Sequence, residues 1–273
     1  MTEPNMFDNG RLDKSGFGKR RIRRLIAQTR ILGALLGASA ALFGATDANA
    51  EEDGGLLIAN TNVSNVASLQ RGARLYFNYC SGCHSIKYMS YSRLAQDLQL
   101  SNDDVLADFA FTGARIGDQV ISNMPADHAQ EWFGKAPPDL SLEARSKGPD
   151  WIYSYLKSFY LDPSRPIGWN NTVFPNASMP NVLWELQGLQ RAQYAPAKPG
   201  EDPSVEKLEL SSTGKLSGHE FDQTARDITT FLQYVGEPAA LKREAIGVWV
   251  ILYLAFFTFL AWLLNNEYWK DVH

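Results

Sequence analysis

The chain has 273 residues, 45% of them apolar, and a formal charge of −4, which fits one or two ordinary globular domains. The charge is segregated: eight of the 26 Lys/Arg and four of the 30 Asp/Glu fall in the first fifty positions, so the remainder carries about −8. An acidic body disfavours nucleic acid and suits a basic protein partner, through a steering field that weakens as salt rises.

From the N-terminus, "GKRRIRRLIAQTR" is a positive stretch, "ILGALLGASAALFG" a short apolar one, and Ala48-Asn49-Ala50 an A-x-A site. Together they read as an export signal over residues 1–50, removed after Ala50. The paired arginines also resemble a twin-arginine signal, loosely; general secretion fits better, and an uncleaved signal anchor is the alternative. The exported part then runs from 51 to 243. "VASLQRGARLYFNYC" (66–80) has helical apolar spacing and leads straight into the only two cysteines of the chain.

Those cysteines, Cys80 and Cys83, are followed at once by His84, giving C-x-x-C-H, the pattern of covalent c-type haem attachment. Two thiols on one tight turn reach the two vinyl groups, and the next residue is carried under the iron as an axial ligand. A zinc half-site would need a second pair of ligands, and a redox dithiol a β-α-β setting, neither of which the sequence offers. The second axial ligand decides whether the iron binds small molecules or only passes electrons, and a thioether raises the potential. Met1 and Met6 lie in the signal, and Met89 follows His84 too closely. Met124 and Met179 remain, each followed by proline, with His128 and His219 as outsiders. Spacing is compatible with either methionine.

Further along, "LSNDDVLADFAF" predicts a helix capped by Ser101, and "GPDWIYSYLKSFYL" an aromatic-rich helix over about 149–161, stopped by Asp162-Pro163. Residues 162–182 read as a long loop, 193–209 as a solvated acidic loop, and "VEKLELSSTGKLSG" as a small hairpin about its Ser-Ser-Thr-Gly. "HEFDQTARDITTFLQYVGEP" predicts the last exported helix, with Phe221, Ala225, Ile228, Phe231 and Leu232 on one face. "AIGVWVILYLAFFTFLAWLL" is twenty residues without a charge, about 30 Å as a helix and enough to span a bilayer. Trp262, Tyr268 and Trp269 form an interfacial belt at its far end. It is read as an anchor over 244–265, with a cytoplasmic tail of 266–273. Lys242 and Arg243 outnumber Lys270, which by itself favours the reverse orientation, but the exported N-terminus overrides it. The fold expected is mainly α: helices on long loops around a prosthetic group, plus one C-terminal transmembrane helix.

The block "RGARLYFNYCSGCHSIKYMSYSRL" resembles that of the cytochrome c1 family, the membrane-anchored haem subunits of cytochrome bc1 complexes. The likeness continues through "PPDLS", "FPNASMP", "ARDITTFLQYVGEP" and the anchor. It implies a class I cytochrome c-like domain holding one covalently attached haem c, with His84 and Met179 as axial ligands and Met124 structural. It further implies that the Pro138 carbonyl accepts the Nδ1–H of His84, that Leu140 packs on the porphyrin and that Arg145 meets a propionate; Trp151 is expected in the pocket wall. Gly72 and Tyr76 would let the first helix cross the last, against Ile228 and Phe231. The implied partners are cytochrome b, a Rieske iron–sulfur protein as donor, a soluble cytochrome c as acceptor, and the lipid bilayer. The implied place is a bacterial inner membrane, single-pass, with the haem domain on the periplasmic side. The subunit would carry electrons and perform no catalysis alone. The alternatives are an anchored class I cytochrome serving another oxidase or reductase, and a five-coordinate haem sensor. Some family members brace the distal half with a disulfide or longer insertions; this chain has neither, which leaves the bracing of the Met179 loop open.

Overall fold

The computed structural model describes residues 55–196 and 204–271. The expected export signal lies outside the described residues. Helix α1, Val66–Tyr79, starts where the Asn65 side chain accepts the Ser68 N–H, and it buries Leu69, Gly72, Ala73, Tyr76 and Phe77. Strand β1 (Ile86–Ser90) and helices α2 (Tyr91–Asp97) and α3 (Asn102–Phe109) follow, α3 capped by Ser101 as expected. A two-residue strand β2 (Gln119–Val120) pairs antiparallel with β1. Then come α4 (Ala126–Phe133), α5 (Glu143–Lys147) and α6 (Pro149–Lys157).

The aromatic-rich helix ends four residues before the expected stop. The Ser158 hydroxyl turns back to the Ser154 carbonyl at 2.6 Å, and Phe159–Leu161 becomes strand β3. Phe, Tyr and Leu suit a pleated, half-buried surface, and partners are at hand. Within the expected 162–182 loop, β4 (Trp169–Asn171) pairs antiparallel with β3. On the other side of β3 lies β5 (Gly188–Tyr194), which follows the one-turn helix α7 (Trp184–Gln187). β5 in turn pairs antiparallel with β6 (Val205–Thr213), from Gly188 opposite Thr213 to Tyr194 opposite Val205. The hairpin is therefore larger than expected: Ser211, Ser212 and Thr213 belong to β6 and not to a turn, and both ends of the expected 193–209 loop are strand. Among the described residues about half are helical and 14% are strand, in a four-stranded sheet of order β4-β3-β5-β6 and a two-stranded one of β1 and β2. The mainly α expectation holds for the helical framework and misses the four-stranded sheet.

Helix α8, Gly218–Gly236, opens on a full capping box: the Ser217 hydroxyl accepts the Glu220 N–H, and the Glu220 carboxylate accepts the Ser217 N–H. All five residues expected on its apolar face are buried. It crosses α1 so closely that a Cβ at Gly72 would lie 2.7 Å from Phe231 Cβ and 2.8 Å from the Asp227 carbonyl carbon; only glycine permits that approach. Phe231 is thus a facing contact as expected, with the Asp227 backbone beside it. A polar clamp secures the crossing. Buried Asp227 accepts from Ser68 Oγ (2.5 Å), Arg71 Nε (2.7 Å) and Gln223 Nε2 (2.9 Å), so the desolvated carboxylate has its partners. Around the crossing the core gathers Tyr76, Ile86, Met89, Leu94 and Tyr234, and Phe77 stacks on Phe109 at 4.6 Å.

Helix α9, Ala240–Tyr268, continues from α8 after Glu237. Its stretch Ile246–Tyr268, 23 residues with mean hydropathy 2.2, has none of its most apolar window buried against the rest of the chain. A helix with apolar side chains exposed on every side has no use for water as its solvent.

Candidate functional site

The site begins at the end of α1. The Cys80 N–H still bonds the Tyr76 carbonyl (2.8 Å), and the chain then tightens so that the Cys83 and His84 N–H groups both reach the Cys80 carbonyl, at 3.0 and 2.9 Å. The Tyr76 hydroxyl donates to the His84 carbonyl at 2.6 Å and pins the turn. Burial pushes the Cys80 thiol up to about 12 and the half-buried Cys83 thiol up as well, so both are neutral thiols in this fold.

The Pro137–Ser141 loop is laid against the strand that follows. The Leu140 N–H bonds the Ser85 carbonyl (2.8 Å), and the Lys87 N–H bonds Asp139 Oδ2 (3.0 Å). That docking sets the Pro138 carbonyl 2.8 Å from His84 Nδ1. A carbonyl can only accept, so Nδ1 carries the proton and Nε2 keeps its lone pair. Burial lowers the imidazole pKa, against the smaller opposing effect of the Pro138 bond; the ring is neutral, as a metal ligand must be.

Cys80, Cys83 and His84 border a cavity of about 390 Å³, within the range of small-molecule and cofactor sites. Met179, Leu140 and Trp151 border the same cavity. Met124 does not; it lies in the stretch before α4 with its N–H on Ser122 Oγ. His128 stands on α4 beside Trp132, and His219 is exposed on the first turn of α8. Arg145 lies on α5, whose Glu143 and Lys147 border the cavity. Its guanidinium lies 3.6 Å from Glu237 and is absent from the cavity wall. Two cations the sequence reading passed over, Lys135 and Lys147, are in that wall, Lys147 with Nζ 4.9 Å from the Trp151 ring centre. Nothing in their local sequence distinguished them from ordinary surface lysines.

The brace of the Met179 loop was also missed. Asn171, buried, takes the Val173 and Phe174 N–H groups on Oδ1 (2.9 and 3.0 Å) and gives its Nδ2 to the Tyr155 carbonyl (2.8 Å). Asn170 Oδ1 takes the Asn176 N–H at 2.8 Å. Beyond the methionine, Asn181 takes the Leu183 N–H and donates to Gln187, which reaches the Lys157 carbonyl. Three buried amides thus brace the loop. The only sign in the sequence was the run of asparagines in "GWNNTVFPNASMPN".

With this geometry in hand, comparison with known proteins is decisive. A model of the Cytochrome C1 family matches residues 60–272. The chain is 50% identical over 216 residues to cytochrome c1 of Allochromatium vinosum, covering 79% of this chain and 88% of that one. The chain belongs to the cytochrome c1 family. It is also similar to a Nitrosomonas europaea protein named ammonia monooxygenase gamma subunit, 39% identical over 206 residues, 76% of this chain and 84% of that one. With cytochrome c1 of Rhodospirillum rubrum it shares 29% identity over 224 residues, 75% of this chain and 81% of the relative. The family carries one covalently bound haem c, and the residues fit it. Two thiols, one imidazole with a free Nε2 and one thioether meet on a single mostly apolar cavity.

Proposed function

We infer that the chain is the membrane-anchored haem subunit of a cytochrome bc1 complex, taking electrons from a Rieske iron–sulfur protein and handing them to a soluble cytochrome c. The observation that carries the reading is the meeting of Cys80, Cys83, His84 and Met179 on one cavity. A haem held there supplies reversible one-electron chemistry.

The chain's own residues do the rest. Cys80 and Cys83 are the attachment thiols. The Pro138 carbonyl fixes the His84 tautomer, raises its donor strength and aims Nε2 at the cavity. Met179 would hold the iron through its thioether, which favours the reduced state, and Leu140 and Trp151 would keep water from the ring. With His84 and Met179 both holding the iron, no substrate would bond here, so enzymatic turnover would belong to the assembly. The arrangement is a class I cytochrome c-like domain in which α1 and α8 cross at Gly72. Residues 1–50 are its export signal and 51–243 the periplasmic haem domain. Residues 244–265 are its single anchor in the inner membrane, and 266–273 its cytoplasmic tail.

Two experiments test the reading. The tagged full chain is expected to co-purify with a dihaem cytochrome b; recovery with some other oxidase or reductase and no cytochrome b would overturn it. Met179→Leu is expected to abolish the low-spin spectrum and admit carbon monoxide to the reduced protein, and an unchanged spectrum would remove Met179 as ligand.

A further inference from the structure

The Met179 sulfur has a partner within the chain. Tyr155, on α6, points its hydroxyl at Met179 Sδ from 3.6 Å, a hydrogen-bonding distance for the large sulfur atom. The tyrosine is not free to drift. Its ring stacks on Trp151 at 5.0 Å and 9°, and it meets Phe159 edge-on at 4.9 Å. Its carbonyl is held by the Asn171 amide, the same side chain that ties down residues 173 and 174 ahead of the methionine. A phenol is protonated at neutral pH, so the hydroxyl is a donor to the sulfur. Both ends of Tyr155 are therefore tied to the segment that carries Met179, one through the backbone and one through the sulfur.

We propose that Tyr155 is a positioning residue for Met179: its hydroxyl holds the thioether in one orientation and withdraws electron density from it. This rests on the reading of Met179 as axial ligand. A thioether has two lone pairs. If one faces the iron, the other is available to the phenol, and donation into it makes the sulfur a poorer donor. The oxidised state needs that donation more than the reduced one, so the hydroxyl favours reduction. The aromatic packing of the ring does not depend on the hydroxyl, which makes the two roles separable.

The test is Tyr155→Phe in the full-length, haem-loaded chain, compared with wild type and with Met179→Leu. The expected result is a low-spin spectrum still present, a thermal midpoint close to wild type, and a reduction equilibrium moved against the reduced form by about three- to tenfold. Tenfold corresponds to ~59 mV for one electron. A potential equal to wild type, with Met179→Leu spectrally altered, would overturn the role of Tyr155 and leave the ligand assignment standing. A lower thermal midpoint with no change in potential would show a purely structural tyrosine and overturn it equally. If Met179→Leu leaves the spectrum unchanged, the ligand assignment falls and the proposal with it.

Discussion

Buried amides and carboxylates carry much of the precision here, because each is committed on several sides at once. Asn171 makes three hydrogen bonds from a position only 1% exposed. Asn171→Ala would take the acceptor from the Val173 and Phe174 N–H groups and leave the Tyr155 carbonyl only the 3.3 Å bond from the Ser158 N–H; each lost hydrogen bond is worth about 0.5–1.5 kcal/mol. The expected outcome is a clear drop in the thermal midpoint of the haem-loaded protein and partial admission of carbon monoxide, both readable by absorbance. The sequence hid this role for a physical reason. Asparagine is read as a turn residue from its own neighbours, whereas the partner of Asn171 Nδ2 lies sixteen positions earlier, on α6. Cys80, Cys83 and His84, by contrast, were legible because their chemistry is local to one turn. Pro138 and Leu140 were legible only through family likeness, and the pairing of Arg145 with Glu237 was not legible at all, because it joins residues 92 positions apart.

Helices α1, α3 and α8 were readable from spacing and caps, since a helix satisfies its own backbone and advertises its buried face at every third or fourth residue. The sheet was not. β5, "GLQRAQY", has little strand character, and it exists because β3 and β6 flank it with backbone partners. The capping box of α8 offers a direct check. The Ser217 backbone N–H, and then its hydroxyl, hold the Glu220 carboxyl below the usual carboxylate range. A carboxylate with a depressed folded-state pKa contributes fully above its unfolded value. That contribution is lost as pH falls through the folded value. The thermal midpoint of wild type should therefore exceed that of Glu220→Ala at neutral pH, and the gap should close on acidification below the ordinary carboxylate range. A gap that stays constant down to that acidity would show that the charge on Glu220 contributes nothing.

The molecule as a whole joins a water-soluble body, tied together at the α1–α8 crossing, to a helix that contributes nothing to that body's core beyond its first turn. Leu241 still packs on the core and Arg243 pairs with Glu237, but the most apolar part of Ile246–Tyr268 is wholly unburied. Ending the chain after Arg243 should release the haem-loaded domain into the soluble fraction with its low-spin spectrum intact; a truncated protein that loses its colour would show that the anchor is part of the fold.

Bracing by amides reaches beyond stability. The chain's two cysteines sit together at the end of α1, far in sequence from the distal loop, so that loop holds no dithiothreitol-labile crosslink to be opened. The order of the Met179 segment, held by amide hydrogen bonds, is accordingly expected to be indifferent to thiol reductants.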